Sequence, residues 1–161
     1  IERPTASGGL DRLFCSMLTL QFQPAMIDSA REKKRSTKLV LASIQAEGSR
    51  VVFYSQEHNV TAVMSRLKYH VAERVLELLS GVTPATGRPN SVRVHQNGRM
   101  LTAAYVVMTH DTHGQPQSIE CRGPGKIEPS DQALESAVPV DEQAFNATWT
   151  ESLSVRLSSE Q

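Results

Sequence analysis

The sequence predicts an all-β fold, and three observations carry that expectation. Apolar residues alternate with polar ones along most of the chain, turn dipeptides punctuate the alternation, and short apolar-polar-apolar strings followed by glycine recur. The 161 residues suffice for one domain, or two small ones, with a buried core. A hydrophobic fraction of 39% with only 5% aromatic residues is thinner than that size permits. Seventeen basic residues balance seventeen acidic ones, so a dedicated nucleic-acid binder is not expected. Two cysteines exclude a disulfide-rich miniprotein and a four-cysteine zinc module. No apolar run approaches the roughly 18 residues of a membrane-crossing helix.

The elements follow in chain order. From Leu13 to Phe22 at most one polar residue separates neighbouring apolar ones, which is a strand pattern. Periodicity is lost after Ile27, and the stretch at about 24–38 reads as a solvated basic loop. Its Arg31, Lys33, Lys34, Arg35 and Lys38 outweigh Asp28 and Glu32. The same cluster also reads as a site for phosphate or anionic lipid head groups. Val51-Val52-Phe53-Tyr54 is β-branched and aromatic, hence a strand.

Between Val63 and Leu79 the local pattern allows two readings. Val63, Leu67, Val71, Val75 and Leu78 stand at near-helical spacing, whereas Leu67 to Val71 and Val75 to Leu79 also make two strands. Further on, Gly87-Arg88-Pro89-Asn90 is a turn before Val92-Arg93-Val94, and Asn97-Gly98 is a strong hairpin signal. Met100 to Met108 continues the strand pattern. His113-Gly114-Gln115-Pro116 turns the chain into Ser118-Ile119-Glu120-Cys121. An acidic loop at 128–144 contains Pro129 and Pro139, and 145–161 reads as the start of a further unit, the β domain proper being 1–127.

Repetition decides the ambiguous segment. Ile44-Gln45-Ala46-Glu47-Gly48, Leu76-Glu77-Leu78-Leu79-Ser80-Gly81 and Ile119-Glu120-Cys121-Arg122-Gly123 share one pattern. Val60-Thr61-Ala62 precedes the second and Leu101-Thr102-Ala103 the third, and Leu18-Thr19-Leu20 and Leu153-Ser154-Val155 read as further degenerate starts of this preceding kind. Such recurrence suggests stacked supersecondary units. In the third copy Gly114 and Pro116 forbid a helix, so Ala72-Glu73-Arg74 is expected to be the turn of a hairpin in the second.

The string from Leu67-Lys68-Tyr69-His70 through Leu76 to Gly81, Val92-Arg93-Val94-His95-Gln96 and Leu101 to Val106, closing at Ile119 to Gly125, resembles the organic-solvent-tolerance-A-like family. The periplasmic bridge of lipopolysaccharide transport belongs to that family. The resemblance covers about residues 39–127 and implies a folded-over antiparallel sheet, a β-jelly-roll or taco, built from repeated hairpins. It implies a periplasmic or cell-envelope location, a module of a larger envelope protein, and lipopolysaccharide or a similar amphiphile as partner. Units of this kind would stack edge to edge with similar β units. The groove would be lined by Val51, Phe53, Leu67, Tyr69, Leu76, Leu78, Val92, Val94, Leu101, Ala103 and Ile119. The same side chains alternatively fill a closed core.

Chemistry is sparse. His110-Asp111-Thr112-His113 is the one metal-like string, and beside Gly114 its members are ordinary turn residues, so neither metal nor cofactor is expected. No nucleophile elbow, phosphate-binding glycine loop or His-Glu-x-x-His string occurs, and no catalytic residue is assigned. Cys15 and Cys121 either pair in an oxidising compartment or are small buried hydrophobes.

Overall fold

In the computed structural model, residues 1–4, 9–27, 36–81, 91–112, 114–130 and 146–157 are described. They form one antiparallel sheet of thirteen strands, with no helix among the described residues. In chain order these are β1 (Glu2–Pro4), β2 (Leu10–Phe14), β3 (Met17–Ile27), β4 (Ser36–Ser55), β5 (Val60–His70), β6 (Val75–Leu79) and β7 (Val92–Gln96). Then come β8 (Arg99–Ala103), β9 (Tyr105–His110), β10 (Pro116–Arg122), β11 (Gly125–Pro129), β12 (Ala147–Trp149) and β13 (Ser152–Arg156).

The sheet forks at its two long strands. On one side of β5, Val60 to Val63 pair with β7 while Arg66 to His70 pair with β6. On β4, Val52 to Ser55 pair with β2 and Ser36 to Glu47 with β3. The register of β4 against β5 shifts between Glu47 and Val51, where the sheet folds over. One half therefore contains β1, β2, β7, β8, β11 and β12, and the other β3, β6, β9, β10 and β13. β4 and β5 run through both and form the back of the fold.

Small residues serve the seam. A side chain on Gly48 would meet Ser16 Oγ at 2.7 Å, and one on Gly81 would meet Ser65 Oγ at 2.5 Å. Gly123 turns the chain from β10 to β11 at φ +75°, a conformation that favours glycine. The three repeated strings thus share one structural role. Each supplies a strand of the β6-containing half, with its glycine where the chain leaves that half. Leu18-Thr19-Leu20 and Leu153-Ser154-Val155 fall in the same rows. Val60-Thr61-Ala62 and Leu101-Thr102-Ala103 do not share a register: Ala62 and Leu101 both pair with Val94.

Cross-strand pairing sorts the inner face into rows. Next to the seam, Leu18, Ala46, Leu67, Leu78, Val106, Cys121 and Leu153 are successive partners in one half. Of these, Ala46 to Cys121 are buried, as are Val51, Met64, Val92 and Ala103 opposite. One step toward the open side run Leu20, Ile44, Tyr69, Leu76, Met108, Ile119 and Val155, none fully buried. Their counterparts are Leu13, Phe53, Ala62, Val94, Leu101, Ile127 and Ala147.

The hairpin reading of 63–79 holds. Val71 to Arg74 form a turn, with Arg74 at φ 54°, and pairing across β5 and β6 outweighs the helical spacing. Asn97 (φ 49°) and Gly98 (φ 73°) close the β7–β8 hairpin as their dipeptide predicts. The basic loop expected at 24–38 is corrected at its two ends, where Pro24 to Ile27 of β3 pair with Ser36 to Leu39 of β4, and residues 28–35 lie outside the described ones. Pro24 breaks the sequence pattern without breaking the strand, because β3 is an edge strand, where a proline's missing N–H is tolerated. β11 likewise reaches Pro129, inside the expected acidic loop, and residues 131–145 lie outside the described ones. β12 and β13 each add a strand to one half of the same sheet.

Candidate functional site

Where the two halves diverge from the seam they leave a cavity of about 340 Å³. Leu13 and Phe53 line it from one half, and Ile44, Leu67, Tyr69 and Leu76 from the other. β2 and β4 carry the first pair as direct cross-strand partners, and β4, β5 and β6 carry the second set. Alternation on each strand aims these side chains inward. Asp11, Arg12 and His110 also border the cavity, as do Ile1 and Gly114. The His110 ring meets Tyr69 edge-on, with centroids 6.3 Å apart and planes at 76°. Its Nδ1 lies 3.3 Å from the Arg74 carbonyl oxygen. The walls are apolar and the polar groups stand at the border, an arrangement that suits an apolar ligand with a polar end.

The eleven expected groove residues all lie on the inner face but at different depths. Val51, Leu78, Val92 and Ala103 are buried beside the seam and are packed into the core. Val94, Leu101 and Ile119 are partly buried against that core, away from the cavity. Phe53, Leu67, Tyr69 and Leu76 face the cavity. Both readings of these side chains, closed core and open groove, thus describe parts of one face. Leu13 and Ile44 were not expected as lining. Ile44 occupies the position in its repeat that Leu76 and Ile119 occupy in theirs, so the repeat already carried the signal.

Of the five expected head-group residues, Arg31, Lys33, Lys34 and Arg35 lie outside the described residues. Lys38 is exposed on β4, opposite Ala25. At the β9–β10 turn, the Gln115 N–H donates to Asp111 Oδ1 at 2.8 Å, a turn role for that carboxylate. His113 lies outside the described residues. Among the described residues no three or more His, Cys, Asp and Glu side chains gather as a metal site.

Both cysteines are free thiols. Burial, then the nearby Glu120 charge, pushes the Cys121 thiol up to about 11, so it is held protonated at neutral pH. The outward face of β9 and β10 carries a polar cluster instead. Arg122 Nε donates to Glu120 Oε1 at 2.8 Å, and the guanidinium carbon sits 5.5 Å from the Tyr105 ring centroid. That hydrogen bond with Arg122 holds the Glu120 carboxyl below its usual range. Burial, followed by the charge of Glu77, raises the Tyr105 hydroxyl. These groups cover the outer surface and do not reach the cavity.

Strand order, fork and cavity define a folded-over antiparallel sheet of the jelly-roll or taco kind. The chain matches no family model, no curated protein and no solved structure with which it was compared.

Proposed function

We propose that this chain is a non-enzymatic cell-envelope domain that binds lipopolysaccharide or a similar amphiphile and guides it along the inner face of the folded sheet. The observation that carries the reading is the apolar cavity between the halves, bordered by Asp11 and His110. Its volume is at the lower end of the range typical of small-molecule sites. Each methylene transferred from water contributes about 0.8 kcal/mol, so inserting about ten stabilises the bound state by roughly 8 kcal/mol before ordering costs. The ligand class and the periplasmic or envelope location come from the resemblance of the strand pattern to the organic-solvent-tolerance-A-like family.

Native mass spectrometry of the protein with lipid A tests this. The expected result is retained lipid, with retention lost in Phe53→Asp and Tyr69→Asp variants that still fold. A native protein that retains no lipid overturns the reading.

A second reading, assembly through strand edges, is favoured by the sheet ends. β1, β3, β12 and β13 each pair on one side only among the described residues. Phe14 at the end of β2 and Met17 at the start of β3 are more than half exposed, at 56% and 53%. Unpaired edges are templates for stacking onto similar β units. Concentration-dependent oligomers without lipid affinity would select this reading.

A further inference from the structure

Beyond the apolar pair Leu13 and Phe53, the β2–β4 ladder places a polar pair on the same inner face. Leu13 and Phe53 are cross-strand partners, and two residues further from the seam Asp11 and Ser55 are partners in turn. Asp11 borders the cavity and is 9% exposed, and Ser55 beside it is 1% exposed. The Ser55 hydroxyl has no hydrogen-bond partner. A buried hydroxyl without a partner weakens the folded protein, and native folds keep few of them.

His110 borders the cavity from the other half. Its backbone N–H donates to the Arg74 carbonyl oxygen at 3.0 Å, and its Nδ1 lies 3.3 Å from the same oxygen. A carbonyl oxygen only accepts, so Nδ1 donates and Nε2 of the neutral ring is left as an acceptor. The cations of the border are engaged elsewhere. Arg12 Nε is 3.0 Å from Glu2 Oε1, and the Ile1 ammonium donates to the Leu13 carbonyl oxygen at 2.8 Å. The polar border therefore presents acceptors to the cavity, a carboxylate on one side and an imidazole nitrogen on the other.

We propose that this border selects the polar end of the bound amphiphile. It takes an end that donates hydrogen bonds and carries no negative charge, an ammonium first and a hydroxyl next, and it disfavours carboxylate and phosphate. Asp11 determines the preference by meeting the donor. Ser55 is a positioning residue, whose hydroxyl is able to donate to that carboxylate from the adjoining strand. Beside apolar walls an ammonium–carboxylate hydrogen bond is strong, and a second anion is repelled for the same reason. The inference rests on the amphiphile-binding reading and narrows it. Anionic groups of such a lipid stay outside the border, and its amine or hydroxyl groups enter.

Displacement of a fluorescent single-chain fatty acid by decylamine, decanol and decanoate tests this. The measurement is made below micelle-forming concentrations and at about pH 8, above the ordinary histidine range. Chains of equal length isolate the effect of the polar end. Decylamine is expected to displace the probe at least about tenfold more effectively than decanoate, with decanol between them. Asp11→Asn is expected to bring the three within about threefold of each other and to bind the fatty-acid probe itself more tightly. Ser55→Ala is expected to lose about threefold in decylamine affinity. Its unfolding midpoint should stay at or above native, since no hydrogen bond is lost. A lowered midpoint with the native order of competitors would make Ser55 merely structural and remove its positioning role. Equal displacement by all three competitors, or a preference that survives in Asp11→Asn, overturns the inference and leaves the amphiphile reading. A native protein that binds neither the probe nor any competitor removes both.

Discussion

Leu78 and Leu76 stand two residues apart on the same face of β6, and they live in different surroundings. Leu78 is 3% exposed, with Leu67 and Val106 as its cross-strand partners. Leu76 pairs with Tyr69 and Met108 and faces the cavity. The distance from the seam makes the difference. Around Leu78 the two halves are close enough for side chains to fill the space, and around Leu76 they are not. The same aliphatic alternation thus builds a packed spine on one side and a lining on the other. Stability is concentrated in the first and room for a ligand in the second.

Substitutions can break that contrast or sharpen it. The largest loss is expected from Leu78→Ala, about 3 kcal/mol in denaturant unfolding, because a cavity opens in close-packed surroundings. Gly125→Ala comes next, at about 2 kcal/mol. A methyl there would lie 2.2 Å from the Trp149 ring and 2.5 Å from the Thr102 carbonyl oxygen, and the backbone atom cannot yield cheaply.

The seam also confers a pH dependence. The Cys121 thiol is raised from 9.0 to about 11 by folding, so the folded state keeps a proton that the unfolded chain releases. Its contribution is intact below pH 9 and falls as pH rises toward 11, by about 1 kcal/mol at pH 10. Unfolding midpoints at pH 8 and pH 10 measure this, and Cys121→Ala should flatten that part of the profile. Smallest is Leu76→Ala, below about 1 kcal/mol, since the side chain already faces open space. This variant should nevertheless weaken fatty-acid probe binding. Equal destabilisation by Leu76→Ala and Leu78→Ala would erase the distinction between spine and lining.

Much of the fold was legible because the signals were local. Asn97-Gly98 predicts its hairpin through the left-handed backbone that both residues adopt. The comparison of Ile44, Leu76 and Ile119 resolves 63–79 in favour of strands where spacing alone leans to a helix. Pro24 hid the outer part of β3, since a proline reads as a breaker unless the strand is known to be an edge. The fork was hidden for another reason. Nothing around Glu47-Gly48 tells a strand that ends from one that folds over, because the shift of pairing partner is non-local. Depth was equally illegible: alternation reports which face a residue occupies, not how near the opposite half approaches. Val51 and Phe53 therefore looked alike, yet Val51 is fully buried and Phe53 lines the cavity.

The glycine-marked crossings have a consequence for size. The rows run across the strands, so the width of the interior depends on how far each strand extends from its crossing. Its length depends only on how many crossings are stacked, each adding a strand spacing of about 4.8 Å. Length and cross-section are therefore separate parameters of this architecture. Duplicating or deleting a whole unit bounded by two seam glycines would lengthen or shorten the interior without redesigning its profile.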